Sequence, residues 1–208
     1  MKKILLVSML SNTAALVSKA IPELKGKTVT YIPTAGIAEM PDGDISDMTA
    51  DETKTLQSLG LTVDVLEVSS AAEAEIDQKL TENDVIYIGG GNTFFLLQEL
   101  RRSGADKILI REVNSGKPYI GESAGAVIAC PDIGYCSGMD DPDKAPELND
   151  YTGLGLVDFY IVPHLGSEIL GAGVGETVEK YSGSLDLKVI TDDQMILVTD
   201  NEITISDR

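Results

Sequence analysis

Residues 121–125 read Gly-Glu-Ser-Ala-Gly and follow an apolar stretch that ends at Ile120. This pattern predicts a buried strand, a sharp turn and then a helix, with the hydroxyl of Ser123 lifted out of the sheet. Side chains in place of Gly121 and Gly125 would collide with the returning backbone. Free N–H groups at the start of the helix would stabilise a developing oxyanion, which makes Ser123 a candidate nucleophile. An ordinary serine that caps a helix is the alternative.

The chain contains one histidine, His164, and it directly follows a predicted strand. A serine hydroxyl is inert near neutral pH unless a base removes its proton, and histidine is the usual base. The end of a strand is also where the turn pattern places Ser123. We therefore predict that His164 is the base that activates Ser123.

A third residue, a carboxylate, is needed to hold the imidazole in one tautomer and to stabilise its charged form. Two pairs are candidates: Asp192 and Asp193, which follow a predicted strand, and Asp140 and Asp141, which lie in a predicted loop. Spacing along the chain does not choose between the pairs. With Asp192 the chain order is Ser, His, Asp, whereas α/β-hydrolases have the order Ser, acid, His.

Residues 89–92, Gly-Gly-Gly-Asn, also lie between a predicted strand and a predicted helix. A turn of this kind can cradle a phosphate, but residues 89–92 lack the Gly-x-Gly-x-x-Gly register and the lysine of a phosphate loop. The alternative is that a backbone N–H of this turn joins that of Ala124 in an oxyanion hole. We favour the oxyanion hole, because the strand before Ser123 comes next in the sequence and is expected to pair nearby.

Short apolar segments alternate with helical patterns through most of the chain, with strands predicted at residues 3–9, 28–32, 62–66, 85–88 and 119–120. The alternation predicts an α/β fold with a mainly parallel sheet covered on both faces, in a single domain that spans residues 1–208. Binding sites in such sheets lie at the carboxyl ends of the strands. Both glycine-rich turns fall at these ends.

Three apolar segments near the C-terminus, at residues 189–190, 195–199 and 203–205, predict short strands. The turn at Asp200-Asn201 predicts that the chain ends in a short antiparallel hairpin.

Other element boundaries follow from capping and chain-breaking residues. The predictions are a helix over residues 13–24 capped by Ser11-Asn12, a helix capped by Ser69 or Ser70 that ends near Leu80, a helix at 51–59, a strand at 156–162, and loops at 37–48 and 131–154.

The formal net charge of −18 argues against nucleic acid and anionic membrane surfaces as partners. For small molecules, the field of such a chain favours cations over anions. Cys130 and Cys136 are too few for a disulfide framework, and a metal site at these cysteines would lack further ligands. No apolar segment is long enough to span a bilayer. We expect a cytoplasmic monomer or homodimer with free thiols and without a metal or cofactor.

Three segments together resemble the peptidase E (aspartyl dipeptidase) family of serine peptidases, of which cyanophycinase is a more distant relative. They are residues 88–94 (Ile-Gly-Gly-Gly-Asn-Thr-Phe), residues 121–126 (Gly-Glu-Ser-Ala-Gly-Ala) and residues 163–164 (Pro-His). Residues 32–36 (Ile-Pro-Thr-Ala-Gly) are similar to the family's Ile-Pro-x-Ala-Gly segment. The resemblance implies a three-layer α/β/α sandwich related to class I glutamine amidotransferases, with serine in place of their nucleophilic cysteine.

By position in these motifs, the resemblance implies that Ser123 is the nucleophile, His164 the base and Asp192 the acid, where the family has a glutamate. Another candidate acid of the family falls near residues 138–141. The resemblance also implies that the N–H groups of Gly91 and Ala124 form the oxyanion hole.

Asn92, Glu122 and Lys180 are the residues expected to contact the substrate. In aspartyl dipeptidases a Gly-Glu-Thr-Arg segment supplies an arginine for the N-terminal aspartate of the substrate, but here residues 175–178 read Gly-Glu-Thr-Val. Val178 cannot make the bidentate contact of an arginine with a carboxylate. Lys180 is the candidate to replace that arginine as a point charge, and the sequence does not support specificity for aspartate.

The leading hypothesis is therefore a serine exopeptidase that hydrolyses short peptides through an acyl-enzyme on Ser123. One alternative is a non-catalytic relative that binds a peptide or an anion at the two glycine-rich turns. Another is an esterase or amidase that acts on a small molecule. Cys130 lies too far along the helix to replace Ser123 as the nucleophile, which weakens an amidotransferase-like reading.

Overall fold

A seven-stranded sheet forms the centre of the computed structural model, which describes residues 2–200 and 202–208. Its strand order is β3-β2-β4-β5-β1-β8-β9, and within the described residues β6 and β7 form a separate two-stranded sheet. The strands are β1 (Lys3–Val7), β2 (Thr28–Ile32), β3 (Thr62–Val65), β4 (Val85–Ile88), β5 (Tyr119–Glu122), β6 (Tyr160–Val162), β7 (Leu187–Val189), β8 (Gln194–Thr199) and β9 (Glu202–Asp207).

The first five strands pair in parallel, as predicted, with Leu5 of β1 opposite Ile120 of β5. Strands β1 and β8 pair antiparallel, and β8 and β9 form the predicted C-terminal hairpin, in which Ile196 pairs with Ile205. Of the predicted turn, Asp200 has a left-handed backbone with φ 50°, whereas Asn201 lies outside the described residues.

Helices cover both faces of the sheet because side chains alternate between the faces along each strand. Ile4 of β1 points toward the core shared with α3, α4 and α5, and Leu5 points toward the core shared with α1 and α2. The fold is therefore a three-layer α/β/α sandwich. The helices are α1 (Leu10–Ala20), α2 (Ser46–Ser58), α3 (Glu73–Glu82), α4 (Thr93–Ser103), α5 (Ala105–Asn114), α6 (Ala124–Val127) and α7 (Val174–Tyr181).

The predicted helix caps were wrong at two places. Helix α1 begins at Leu10 rather than after Ser11-Asn12, because Leu10 is buried against the sheet immediately after β1. Helix α3 begins at Glu73, since the hydroxyls of Ser69 and Ser70 donate instead to the carboxylate of Glu67 at 2.7 Å.

Three further boundaries differ from the prediction. Helix α2 begins at Ser46, inside the predicted loop at residues 37–48. The strand predicted at residues 156–162 is reduced to β6, because the N–H groups of Leu156 and Val157 donate to the carbonyl of Ala129. The loop at residues 131–154 contains two 3₁₀ turns, Gly134–Gly138 and Pro142–Lys144.

None of the helices in the described part of the chain combines the length and the apolar character that a bilayer crossing requires.

Candidate active site

The turn between β5 and α6 holds Ser123 in a strained backbone conformation, with φ 49° and ψ −109°. The N–H of Ser123 donates to the carbonyl of Val7 at 3.0 Å, which fixes the turn to the end of β1. A Cβ atom at Gly121 would lie 2.3 Å from the carbonyl oxygen of Gly125, and one at Gly125 would lie 2.2 Å from that of Ile88. Only glycine fits at both positions, so the tight turn follows from the motif itself.

The side chain of His164 lies beside the hydroxyl of Ser123. His164 follows β6 with a left-handed backbone at φ 65°, and its side chain is almost fully buried. Its Nε2 lies 2.9 Å from the Oγ of Ser123, which is hydrogen-bonding distance. The structure therefore brings together the two residues that the sequence predicted as nucleophile and base.

Asp192, which follows β7, lies on the other side of the imidazole. Its Oδ1 is 2.7 Å from the Nδ1 of His164, so Nδ1 carries the proton and Nε2 is free to accept one from Ser123. Burial alone would raise the pKa of Asp192, but hydrogen bonds from Ser8 and His164 lower it below its usual value. The carboxylate is thus held ionised beside the imidazole.

The other three candidate acids make different contacts. Asp140 accepts hydrogen bonds from the N–H and the hydroxyl of Thr93 at the start of α4, and burial raises its pKa. Asp141 accepts from the N–H of Asp143, and Asp193 accepts from Asn12. Of the four candidates, Asp192 is the one that the structure brings to His164.

Ser8 is a part of the site that the sequence analysis missed. Its Oγ donates to Asp192 Oδ1 at 2.7 Å and accepts the backbone N–H of His164 at 2.7 Å. Ser8 follows β1, the strand that pairs with β5 beside the Ser123 turn. The local signal, a small polar residue directly after a buried strand, was present but is too common to be recognised alone.

Gly91 and Ala124, the two residues predicted to form the oxyanion hole, line the same cavity as Ser123. Among the described residues, neither N–H donates to another protein group. Gly91 has φ 128°, and a Cβ there would lie 2.3 Å from the carbonyl of Ala35, so the turn needs glycine. A Cβ at the neighbouring Gly90 would lie 3.3 Å from the Cβ of Ser123, which shows how closely the two turns approach.

A cavity of about 490 Å³ opens beside Ser123 and His164. Glu122, which was predicted to contact the substrate, lines the cavity. Asn92 is buried, and its side chain caps α4 through the N–H of Phe95 and donates to the carbonyl of Asp141. Lys180 stands over the ring of Tyr181 on α7, outside the cavity lining.

Two carboxylates, those of Glu122 and Glu52 on α2, share the hydroxyl of Tyr87. The hydroxyl has a single proton and can donate it to one carboxylate at a time. Burial raises the pKa of both side chains, and the neighbouring charge of Glu122 adds to this effect on Glu52, whose pKa rises to about 8. Burial and the neighbouring charge of Glu122 thus both favour the protonated form of Glu52.

Within residues 2–200 and 202–208, no group of three or more His, Cys, Asp or Glu side chains is arranged to hold a metal ion. Cys130 and Cys136 are buried free thiols.

A serine, a histidine and an aspartate joined in this way at the carboxyl edge of an α/β/α sandwich define a serine hydrolase. The chain belongs to peptidase family S51, whose family model matches residues 4–206, and it is a serine-type peptidase.

Similar proteins agree with this assignment. The chain is 41% identical over 203 residues to the uncharacterised peptidase Lmo0363 of Listeria monocytogenes, covering 98% of this chain and 97% of that one. It is 34% identical over 160 residues to peptidase E of Salmonella arizonae, covering 76% of this chain and 64% of that one. The crystal structure of a candidate peptidase E from Listeria monocytogenes EGD-e superposes with a TM-score of 0.92 at 39% identity, over 100% of this chain and 99% of the other.

Proposed function

We propose that the protein hydrolyses short peptides through an acyl-enzyme formed on Ser123. The observation that carries the proposal is the continuous relay from the Ser123 hydroxyl through His164 to Asp192, with distances of 2.9 Å and 2.7 Å. Such a relay is the arrangement that activates a serine for attack on a carbonyl carbon.

The reaction proceeds in two steps on this geometry. The Oγ of Ser123 attacks the scissile carbonyl while the Nε2 of His164 takes its proton, and the carboxylate of Asp192 stabilises the imidazolium that forms. The N–H groups of Gly91 and Ala124 stabilise the oxyanion. Nε2 then gives the proton to the departing amine, and a water molecule activated by His164 hydrolyses the acyl-enzyme.

The size of the cavity supports a short peptide as the substrate. About 490 Å³ lies within the usual range of pockets for small ligands, and it accommodates a dipeptide or a tripeptide. Some similar proteins carry the name peptidase E, which also favours a peptidase. Val178 packs against the core, so it offers no partner for a substrate carboxylate, and we do not propose specificity for aspartate.

The proposal is tested by incubating a panel of dipeptides and their ester analogues with the wild-type protein and with Ser123→Ala. We expect the wild type to cleave at least some dipeptides, and the substitution to lower kcat by about 10⁴-fold or more because no other group can form the acyl-enzyme. Cleavage of esters without cleavage of any dipeptide would favour an esterase. A panel left intact by the wild type would favour a binding protein instead.

A further inference from the structure

The charges around the cavity are strongly unbalanced. Its lining includes five acidic residues, whereas the basic side chains among the described lining residues are those of Lys144 and His164. The five are Glu39, Glu52, Glu122, Asp140 and Asp141. Lys144 is itself exposed, so its charge is screened by solvent. The lining as a whole therefore favours a positively charged ligand.

Two of these carboxylates, Glu52 and Glu122, lack a counter-ion. No lysine, arginine or histidine of the described chain forms an ion pair with either. Both are largely buried, and both are hydrogen-bond acceptors for the same Tyr87 hydroxyl. Buried carboxylates are normally paired with a cation, because an unpaired charge in such surroundings is costly.

A second set of polar groups beside this pair also lacks a partner. The hydroxyls of Tyr31 and of Thr49, one turn before Glu52 on α2, are buried beside the Glu52 carboxylate, and neither forms a well-aligned hydrogen bond within the described residues. The Tyr31 ring packs on that of Tyr87 at 5.1 Å, and the charge of Glu52 contributes, after burial, to a raised pKa of Tyr31. Buried hydroxyls without partners are rare in proteins, and each calls for an explanation.

The glycine-rich turn makes room for this group of side chains. A Cβ atom at Gly89 would lie 2.7 Å from the Oε2 of Glu52 and 3.2 Å from the Cε2 of Tyr31. Glu122 is the residue directly before the nucleophile, and Gly89 precedes the turn that contributes the N–H of Gly91. A ligand group held at Glu52 and Glu122 therefore lies next to the scissile bond.

We propose that Glu52 and Glu122 form the subsite that binds a positively charged group of the substrate, an ammonium or a guanidinium, beside the peptide bond that Ser123 attacks. The inference rests on the proposed peptidase activity and names the substrate class. The cation supplies the counter-ion that both carboxylates lack. It originates either from the free α-amino group of the residue whose carbonyl is attacked or from a basic side chain of that residue.

Four dipeptides separate the two sources: Lys-Leu, norleucyl-Leu and the N-acetyl form of each. Norleucine keeps the aliphatic stem of lysine without its charge, and acetylation removes the α-ammonium. We expect acetyl-norleucyl-Leu, which carries neither cation, to have a kcat/KM at least about tenfold below that of the best substrate, the effect of a hydrogen bond to a charged group. If acetylation lowers kcat/KM, the cation is the α-ammonium. If replacing lysine by norleucine lowers kcat/KM, the cation is the side chain.

Glu52→Gln keeps the shape of the side chain and its contact with Tyr87 but removes the charge. In this variant we expect KM for the preferred cationic dipeptide to rise by about tenfold or more with a smaller change in kcat, because the contact is made before the chemical step. Acetyl-norleucyl-Leu should be unaffected. Asp51→Asn is the matched control, since Asp51 is the preceding residue on α2 and its side chain is 77% exposed.

Equal kcat/KM values for all four dipeptides would overturn the inference, as would an unchanged preference in Glu52→Gln. Because Glu122 adjoins the nucleophile, Glu122→Gln is assayed together with its rate of labelling by an uncharged phosphonate, which shows whether Ser123 is still activated. If Ser123 is labelled but kcat/KM does not depend on the charge of the dipeptide, the proposed subsite is refuted and the proposed function still stands. Absence of both labelling and hydrolysis in the wild type would remove the proposed function itself.

Discussion

Ser8 shows how much of the relay depends on one residue outside the Ser, His and Asp series. Its hydroxyl accepts the backbone N–H of His164 and donates to the same oxygen of Asp192 that receives the imidazole proton. It therefore fixes both the base and the acid relative to β1. Because His164 has a left-handed backbone conformation, a hydrogen bond to its N–H also helps to hold the loop after β6 in place.

We predict that Ser8→Ala lowers kcat by about tenfold or more and changes KM little. The reason is that Asp192 loses a charge-assisted hydrogen bond and the imidazole is less firmly oriented, while the substrate cavity keeps its shape. Steady-state kinetics on a cleaved dipeptide measures both constants. Ser11→Ala, at an exposed position on α1, is the control, and an unchanged kcat in Ser8→Ala would show that Ser8 has no positioning role.

At the scale of elements, the site lies where six strands end. Ser8 follows β1, the glycine turn follows β4, and Ser123 follows β5, all in the central sheet. His164 and Asp192 follow β6 and β7, which pair in parallel in the small sheet. The turn after β2 contributes the carbonyl of Ala35, which packs against Gly91. Two sheets with strand ends at one place thus assemble the relay from residues far apart in the chain.

The two strand-turn-helix units were predictable from the sequence because their signals are local. An apolar run followed by glycines at fixed spacing determines both the turn at residues 89–92 and the turn at Ser123. The uniqueness of His164 identified the base in the same way. The mainly parallel sheet and the final hairpin followed from the alternation of patterns along the chain.

What the sequence did not reveal depends on contacts between distant segments. Local patterns left Asp192 and Asp140 both open as the acid, because the choice depends on the pairing of β6 with β7, and only the family resemblance pointed to Asp192. Ser69 and Ser70 resemble helix caps, but their hydroxyls bind Glu67 instead. The Glu52–Glu122 pair was missed because α2 carries Glu52 to the sheet only in the folded chain.

At the scale of the whole molecule, the chain combines a net charge of −18 with a buried pair of carboxylates. Exposed acidic residues are solvated and affect stability little, whereas Glu52 is held beside Glu122, Tyr87 and Tyr31. Folding raises the pKa of Glu52 from 4.5 to about 8. Between these values the folded chain keeps a proton that the unfolded chain has released, so stability falls as the pH rises through this window.

We therefore predict that Glu52→Gln flattens the dependence of stability on pH. From pH 5 to pH 8, the free energy of unfolding of the wild type should fall by at least about 1 kcal/mol more than that of the variant. The variant no longer carries the cost of ionising a buried carboxylate. Urea unfolding at both pH values measures the difference, with Asp51→Asn as the exposed control. An equal difference between variant and wild type at pH 5 and pH 8 would contradict the raised pKa.

The most direct test of the account is covalent labelling of the protein with an uncharged phosphonate, followed by intact mass measurement and peptide mapping. We expect a single adduct on Ser123, which disappears in Ser123→Ala. In His164→Asn, a residue that tolerates the left-handed backbone, labelling should slow by about 10³-fold or more because the base is gone. An adduct that persists in Ser123→Ala, or a rate of labelling unchanged in His164→Asn, would contradict it.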